Sequence, residues 1–121
     1  MDGQKINVML LGEAIDFVLS LPEKARKKVT YNLLRVEMGE IDKDLFKKLG
    51  DTGIWEFRTL FNGICYRLFA FWDTEEGALV VATHGIVKKT QKTPAKEIGK
   101  AERVRKEWFE NKKRINKLWH R

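Results

Sequence analysis

The chain has 121 residues, a single cysteine, two histidines and a formal net charge of +7, a length that fits one domain with a real buried core. One cysteine excludes an internal disulfide, and two histidines without any CxxC spacing point away from a metal centre, so no metal and no cofactor is expected. No apolar run approaches the roughly 20 residues of a membrane span, and Met1-Asp2-Gly3-Gln4 lacks the basic and apolar regions of a signal peptide; the expected compartment is the cytoplasm, with no membrane partner.

The basic excess is uneven. Residues 1–94 carry 14 Lys and Arg against 13 Asp and Glu, whereas residues 95–121 carry 10 against 4. An anionic partner is one reading of such a segment, and a solvated helix end is the other.

In chain order, Lys5–Leu11 predicts a first strand. A short helix follows over Glu13–Leu19. Ser20, Pro22 and Glu23 then predict a second helix start with a capping box, and Ala25, Val29, Leu33 and Val36 recur at helical spacing, so one stripe faces the core. Gly39 ends that helix. Asp42–Leu49 is expected to form one or two helical turns, anchored by Leu45, Phe46 and Leu49, with Lys47 and Lys48 exposed. Gly50–Gly53 is a loop.

Gly53–Trp72 predicts a hairpin about Asn62-Gly63, because both turn residues tolerate positive φ. A two-residue loop sets Phe61 opposite Ile64, Leu60 opposite Cys65, Thr59 opposite Tyr66 and Arg58 opposite Arg67. Trp55, Phe57 and Thr59 then share a core face with Tyr66, Leu68 and Ala70. The other face offers two opposed guanidiniums, which repel unless something anionic lies between them and whose planar donor forks suit phosphate. Asp73–Gly77 is a turn, and Ala78–His84 is a further strand whose apolar continuity predicts a well-covered place in the sheet. A one-residue slip in its register would flip every side chain, so the face of His84 stays open.

Gly85–Pro94 reads as a polar basic loop, and Pro94 after a capping Thr93 marks a third helix that buries Ile98, Ala101, Val104 and Trp108. Residues 112–121 form a basic extension to a domain of residues 1–111, either prolonging the helix or ordering against a partner. The whole predicts an α+β domain: an antiparallel sheet with an N-terminal helical hairpin and a C-terminal helix.

Ser20 is the lone serine and no glycine pattern resembles a phosphate-cradling loop. What remains is a set of cations, Arg58, Arg67, Lys88, Lys89 and Lys92, around one groove. Metal-free RNA cleavage needs such groups: the 2′-hydroxyl attacks phosphorus, charge builds on the phosphoryl oxygens, and a proton must reach the departing 5′-oxygen. Glu56 shares the face of Arg58 and Arg67 and is a candidate base; His84 is a candidate base or acid. The plainer alternatives are a surface salt bridge between Arg58 and Glu56, a structural histidine at position 84, and a solvated face for Lys47 and Lys48.

At this point the sequence resembles the RelE/ParE toxins of bacterial toxin–antitoxin modules, in their HigB-like, phage-derived branch. The resemblance rests on Gly53-Ile54-Trp55-Glu56-Phe57-Arg58, on Tyr66-Arg67-Leu68 and on residues 84–94, His-Gly-Ile-Val-Lys-Lys-Thr-Gln-Lys-Thr-Pro, with Glu97, Ala101 and Arg103 behind them. It implies a compact α+β toxin that cleaves mRNA on the ribosome without metal, neutralised by a helix-turn-helix antitoxin. By motif match Arg58 and Arg67 would bind the scissile phosphate, with Lys88 and Lys89 in the same groove and Lys92, Lys47 and Lys48 as further RNA contacts. The best-known RelE pattern has lysines in the strand before its arginine, where Ile54 and Glu56 stand here, so a lysine proton relay is not implied. A gyrase poison of the ParE kind and a non-catalytic nucleic-acid-binding protein are the competing functions.

Overall fold

In the computed structural model, which describes residues 5–88 and 92–119, five strands form one sheet with helices on both faces. The elements are β1 (Asn7–Leu10), α1 (Gly12–Ser20), α2 (Glu23–Glu37), β2 (Phe46–Lys48), β3 (Trp55–Phe61), β4 (Ile64–Asp73), β5 (Leu79–Lys88) and α3 (Ala95–Trp119). The strand order is β1-β5-β4-β3-β2. All neighbours are antiparallel except β1, which runs parallel to β5 with Asn7 opposite Leu79. The sheet is therefore mixed rather than purely antiparallel. The chain leaves β1 through α1 and α2 and re-enters the sheet at β2 on the opposite edge, so β1 and β5 meet without a hairpin between them, as a parallel pair requires.

The hairpin register is the one its turn requires. Asn62 and Gly63 both have positive φ, and Arg58 lies opposite Arg67 with Thr59 opposite Tyr66. Phe57, Thr59, Tyr66, Leu68 and Ala70 are buried on the face covered by α1 and α2, where Ala14, Val18, Ala25, Val29, Leu33 and Val36 complete the core. Gly39, at φ +95°, closes α2; its N–H donates to the Val36 carbonyl and that of Glu40 donates to the Arg35 carbonyl, the paired bonds of a glycine-terminated helix.

Three local expectations change, and one open alternative is decided. Residues 46–48 form a strand, not helical turns, because Phe46 stacks on Trp55 and Phe57 and the backbone pairs with β3. Strand β5 runs on through Lys88 instead of giving way at Gly85, since β4 continues to Ile64 and supplies it with partners as far as Cys65. The capping box does not form: the Ser20 hydroxyl donates to the Phe17 carbonyl, and Pro22 precedes α2 without a side-chain cap. The C-terminal basic stretch extends α3 as far as Trp119.

The second face of the sheet is covered as well. Phe69, Phe71, Val81, Ile54 and Leu49 pack there under Ala101, Ile98, Val104, Trp108 and Phe109 of α3. Asp73, fully buried at the end of β4, accepts bonds of 2.7 Å from Trp108 Nε1 and from Lys112 Nζ. Lys112 also reaches Glu75 and Glu76, so the distal half of α3 is tied to the β4–β5 turn.

Candidate nucleic-acid interface

Alternation along the strands places Glu56, Arg58 and Leu60 of β3 on one face with Cys65, Arg67 and Phe69 of β4. Lys47 of β2 is register partner to Glu56 and shares that face, while Lys48 pairs with Trp55 and points the other way. In β5, Lys88 lies opposite Cys65, Ile86 opposite Arg67 and His84 opposite Phe69. The face of His84 is decided by a bulge: Phe69 pairs with His84 but Ala70 pairs with Ala82, so Thr83 is the extra residue. The sheet thus gathers Arg58, Arg67, Lys88, Glu56, His84 and Lys47 on one side. Lys92 is exposed beyond the end of β5. Lys89 lies outside the described residues.

That side is not open, and the expectation that it offers two free guanidiniums is overturned. The Arg67 side chain is 1% exposed and that of Glu56 0%, whereas Arg58 keeps 24%. The cause is the segment entering α3. Thr93 Oγ1 accepts a bond of 2.9 Å from Arg67 Nη1 and donates one of 3.0 Å to Glu56 Oε2, and Arg67 Nη1 also donates to Glu56 Oε2 at 3.3 Å. Arg58 Nε stands 3.5 Å from Glu56 Oε1, a charge contact too long for an ordinary hydrogen bond. Glu56 is therefore the anion that the opposed arginines require, and it joins a buried ion pair rather than a surface bridge. Thr93, expected to cap α3, uses its hydroxyl in this triangle instead.

His84 is also interior. It is 3% exposed and packs at 5.0 Å from the Phe69 ring. Its Nδ1 lies 2.8 Å from Thr83 Oγ1 and its Nε2 lies 3.0 Å from Glu97 Oε1 in the first turn of α3. Burial holds the imidazole below its ordinary range, against the opposing pull of the Glu97 hydrogen bond, and the charge of Lys100 adds to the depression. The neutral ring that donates from Nε2 to Glu97 and accepts at Nδ1 from the Thr83 hydroxyl satisfies both contacts. Neither His84 nor Glu56 reaches solvent in this arrangement. Lys47 is half-buried and Lys48 exposed.

Sequence reasoning missed Thr93, Thr83 and Glu97 as parts of this site. The signal for Thr93 was indirect: a carboxylate between two arginines on a covered face needs a neutral partner for its remaining lone pairs. Among the described residues no group of three or more His, Cys, Asp and Glu is placed to hold a metal ion, and no helix is long and apolar enough to cross a membrane.

Comparison with known proteins identifies the fold and the family. No curated protein is similar enough in sequence to count as a relative. Among solved structures, the chain is similar to a free-state arginine mutant of E. coli toxin RelE, with TM-score 0.59 and 17% identity over 84% of this chain and 98% of that one. It also overlays on a chain of the toxin–antitoxin complex RelBE2 from Mycobacterium tuberculosis, with TM-score 0.49 and 19% identity over 74% of this chain and 100% of that one. The fold is RelE-like. Residues 16–106, most of the chain and all of the strands that carry the site, match the family described as phage derived protein Gp49-like (DUF891), and the chain belongs to that family.

Proposed function

We propose that this protein is the toxin of a toxin–antitoxin pair and acts as a ribosome-dependent, metal-independent mRNA endoribonuclease in the cytoplasm, neutralised by a helix-turn-helix antitoxin. The observation that carries this reading is the Arg58–Arg67 pair, opposed at one register position of the hairpin, with a single buried carboxylate set against two guanidiniums. The residual positive charge emerges at Arg58, on the same face as Lys88 and near the basic connection that ends in Lys92 and Thr93. A scissile phosphate approaching that edge meets Arg58 first. Arg67 acts from behind, fixing Glu56 and through it the position of Arg58.

Chemically, the 2′-hydroxyl adds to phosphorus, giving up its proton, and the 5′-oxygen departs with a proton as the cyclic phosphate forms. Fixed cations stabilise the charge on the phosphoryl oxygens, an effect worth about 10²–10³-fold per well-placed donor. Glu56 and His84 are buried and engaged, so in this reading they position and do not shuttle protons. The transfers fall to groups met on the ribosome, which gives a physical reason for dependence on it. Lys47, on the neighbouring strand, is a candidate RNA contact at the rim, while Lys48 faces the other side of the sheet.

Expression of the protein in bacteria, with mRNA 5′-ends mapped and the SOS response monitored, tests the reading. Codon-phased cleavage is expected. Intact mRNA accompanied by DNA damage would instead identify a gyrase poison.

A further inference from the structure

Thr93 stands where the basic connection between β5 and α3 meets the sheet. Its hydroxyl closes a triangle with two buried, oppositely charged side chains, accepting from Arg67 at 2.9 Å and donating to Glu56 at 3.0 Å, while Arg67 and Glu56 are themselves 3.3 Å apart. Glu56 and Arg67 sit on adjacent strands in fixed register. The triangle is therefore a buried socket between paired strands, and Thr93 is the plug. Pro94 follows immediately; it locks its own φ and holds the preceding residue in extended backbone. Displacement at Thr93 is thus transmitted to Lys92 on one side and to the first turn of α3 on the other. That turn is tied down a second time through Glu97 and His84 at 3.0 Å.

We infer that Thr93 is a positioning residue: its hydroxyl sets where Lys92 and the start of α3 stand relative to the exposed edge of Arg58. The clasp stands on this geometry alone, while its bearing on RNA cleavage rests on the ribonuclease reading above. A plain helix cap would need only an acceptor. The clasp needs a hydroxyl that donates and accepts at once, which serine shares and valine, of the same shape as threonine, does not.

The test compares the purified full chain with Thr93→Val, Thr93→Ser and Thr93→Cys by amide hydrogen exchange, and expresses the same set in bacteria for 5′-end mapping. For Thr93→Val, exchange at the Glu97 and Ile98 amides, which donate to the Pro94 carbonyl, is expected to rise about tenfold or more, with β3 and β4 unchanged. Codon-phased cleavage should fall by a similar factor, and Thr93→Ser should restore both. Unchanged exchange in Thr93→Val, or its full cleavage beside an active wild type, overturns the inference. Should Thr93→Val fail to fold, the order of protection decides: a cysteine that protects as well as threonine or serine overturns the inference, and weaker protection supports it. If the wild type cleaves no mRNA, the ribonuclease reading fails while the exchange measurement still decides the clasp.

Discussion

Alanine substitution at the two opposed arginines separates structure from chemistry. Arg67 and Glu56 are 1% and 0% exposed, so Arg67→Ala leaves a buried carboxylate facing a hydroxyl and a long contact to Arg58. Removing one member of a buried ion pair costs about 3–5 kcal/mol. In a domain of this size each kcal/mol moves the thermal midpoint by roughly 3–6 °C, so the loss is roughly 10–30 °C. Arg58 keeps 24% of its side chain in solvent and meets Glu56 at 3.5 Å. Solvent screening limits Arg58→Ala to about 1 kcal/mol, a shift of a few degrees. Circular-dichroism melting of wild type, both single variants and the apolar double variant Glu56→Leu/Arg67→Met tests this. The double variant is expected to regain much of the stability that Arg67→Ala loses, because an apolar pair of similar volume often replaces a buried ion pair without cost. Growth arrest gives the second axis: Arg58→Ala should fold and be inactive. If Arg67→Ala melts with the wild type, or the double variant melts no higher than Arg67→Ala, the uncompensated charge is not the cause of the loss. A folded Arg58→Ala with full growth arrest would refute the placement of phosphate at Arg58.

Three further outcomes are expected. Because burial lowers the His84 pKa from 6.5, the unfolded chain binds more protons than the folded one below that value; the stability His84 contributes is complete above pH 6.5 and declines as pH falls beneath it. An NMR titration showing His84 with a raised pKa would contradict this. Asp73 loses ionisation to burial, but the hydrogen bonds of Lys112 and Trp108 outweigh that and hold its carboxyl below the ordinary 3.8. Its contribution is present above that value and lost as pH falls through the folded pKa, and Lys112→Met should lower the melting midpoint by several degrees and loosen the helix beyond Phe109; a helix unchanged in hydrogen exchange would make residues 112–121 a true appendage. A Cβ at Gly85 would sit 2.3 Å from the Phe17 ring, so Gly85→Ala should cost about 1–3 kcal/mol in urea titration, and a neutral result would mean that α1 shifts freely over β5.

The hairpin was legible because its information is local. Asn62-Gly63 dictates the turn, the turn dictates register, and register dictates that Arg58 opposes Arg67. The stripes of α2 and α3 were legible for the same reason. Strand β2 was not, since its residues are held by rings on β3 rather than by their own periodicity. The face of His84 was not, because a bulge at Thr83 changes the parity of β5 and leaves no mark in composition. The cover over the arginine face was legible in part. Phe69 and Phe71 share the parity of Arg67 and are fully buried. A strand whose two parities are both apolar is covered on both faces. A core made of Tyr66, Leu68 and Ala70 alone leaves Phe69 and Phe71 without cover, which only a second layer on the arginine face supplies.

That cover also reconciles two features which looked separate in the sequence, the basic C-terminal stretch and the opposed arginines. Helix α3 carries most of the net charge, packs on the face of the sheet that holds Arg67, and is entered through Thr93, which bonds Arg67. Some of its cations are occupied internally: Lys100 holds Glu13, and Lys112 holds Asp73, Glu75 and Glu76. Lys96, Arg103, Arg105 and Lys106 are exposed. The helix whose entry segment covers one guanidinium therefore brings several cations to the same side of the sheet. A polyanion meeting this side encounters the field of the helix over a Debye length of about 8 Å at physiological ionic strength, and Arg58 only at contact. On the ribonuclease reading, charge on α3 governs capture and the hairpin governs chemistry, so neutralising α3 cations should weaken activity in a salt-dependent way that Arg58→Ala does not.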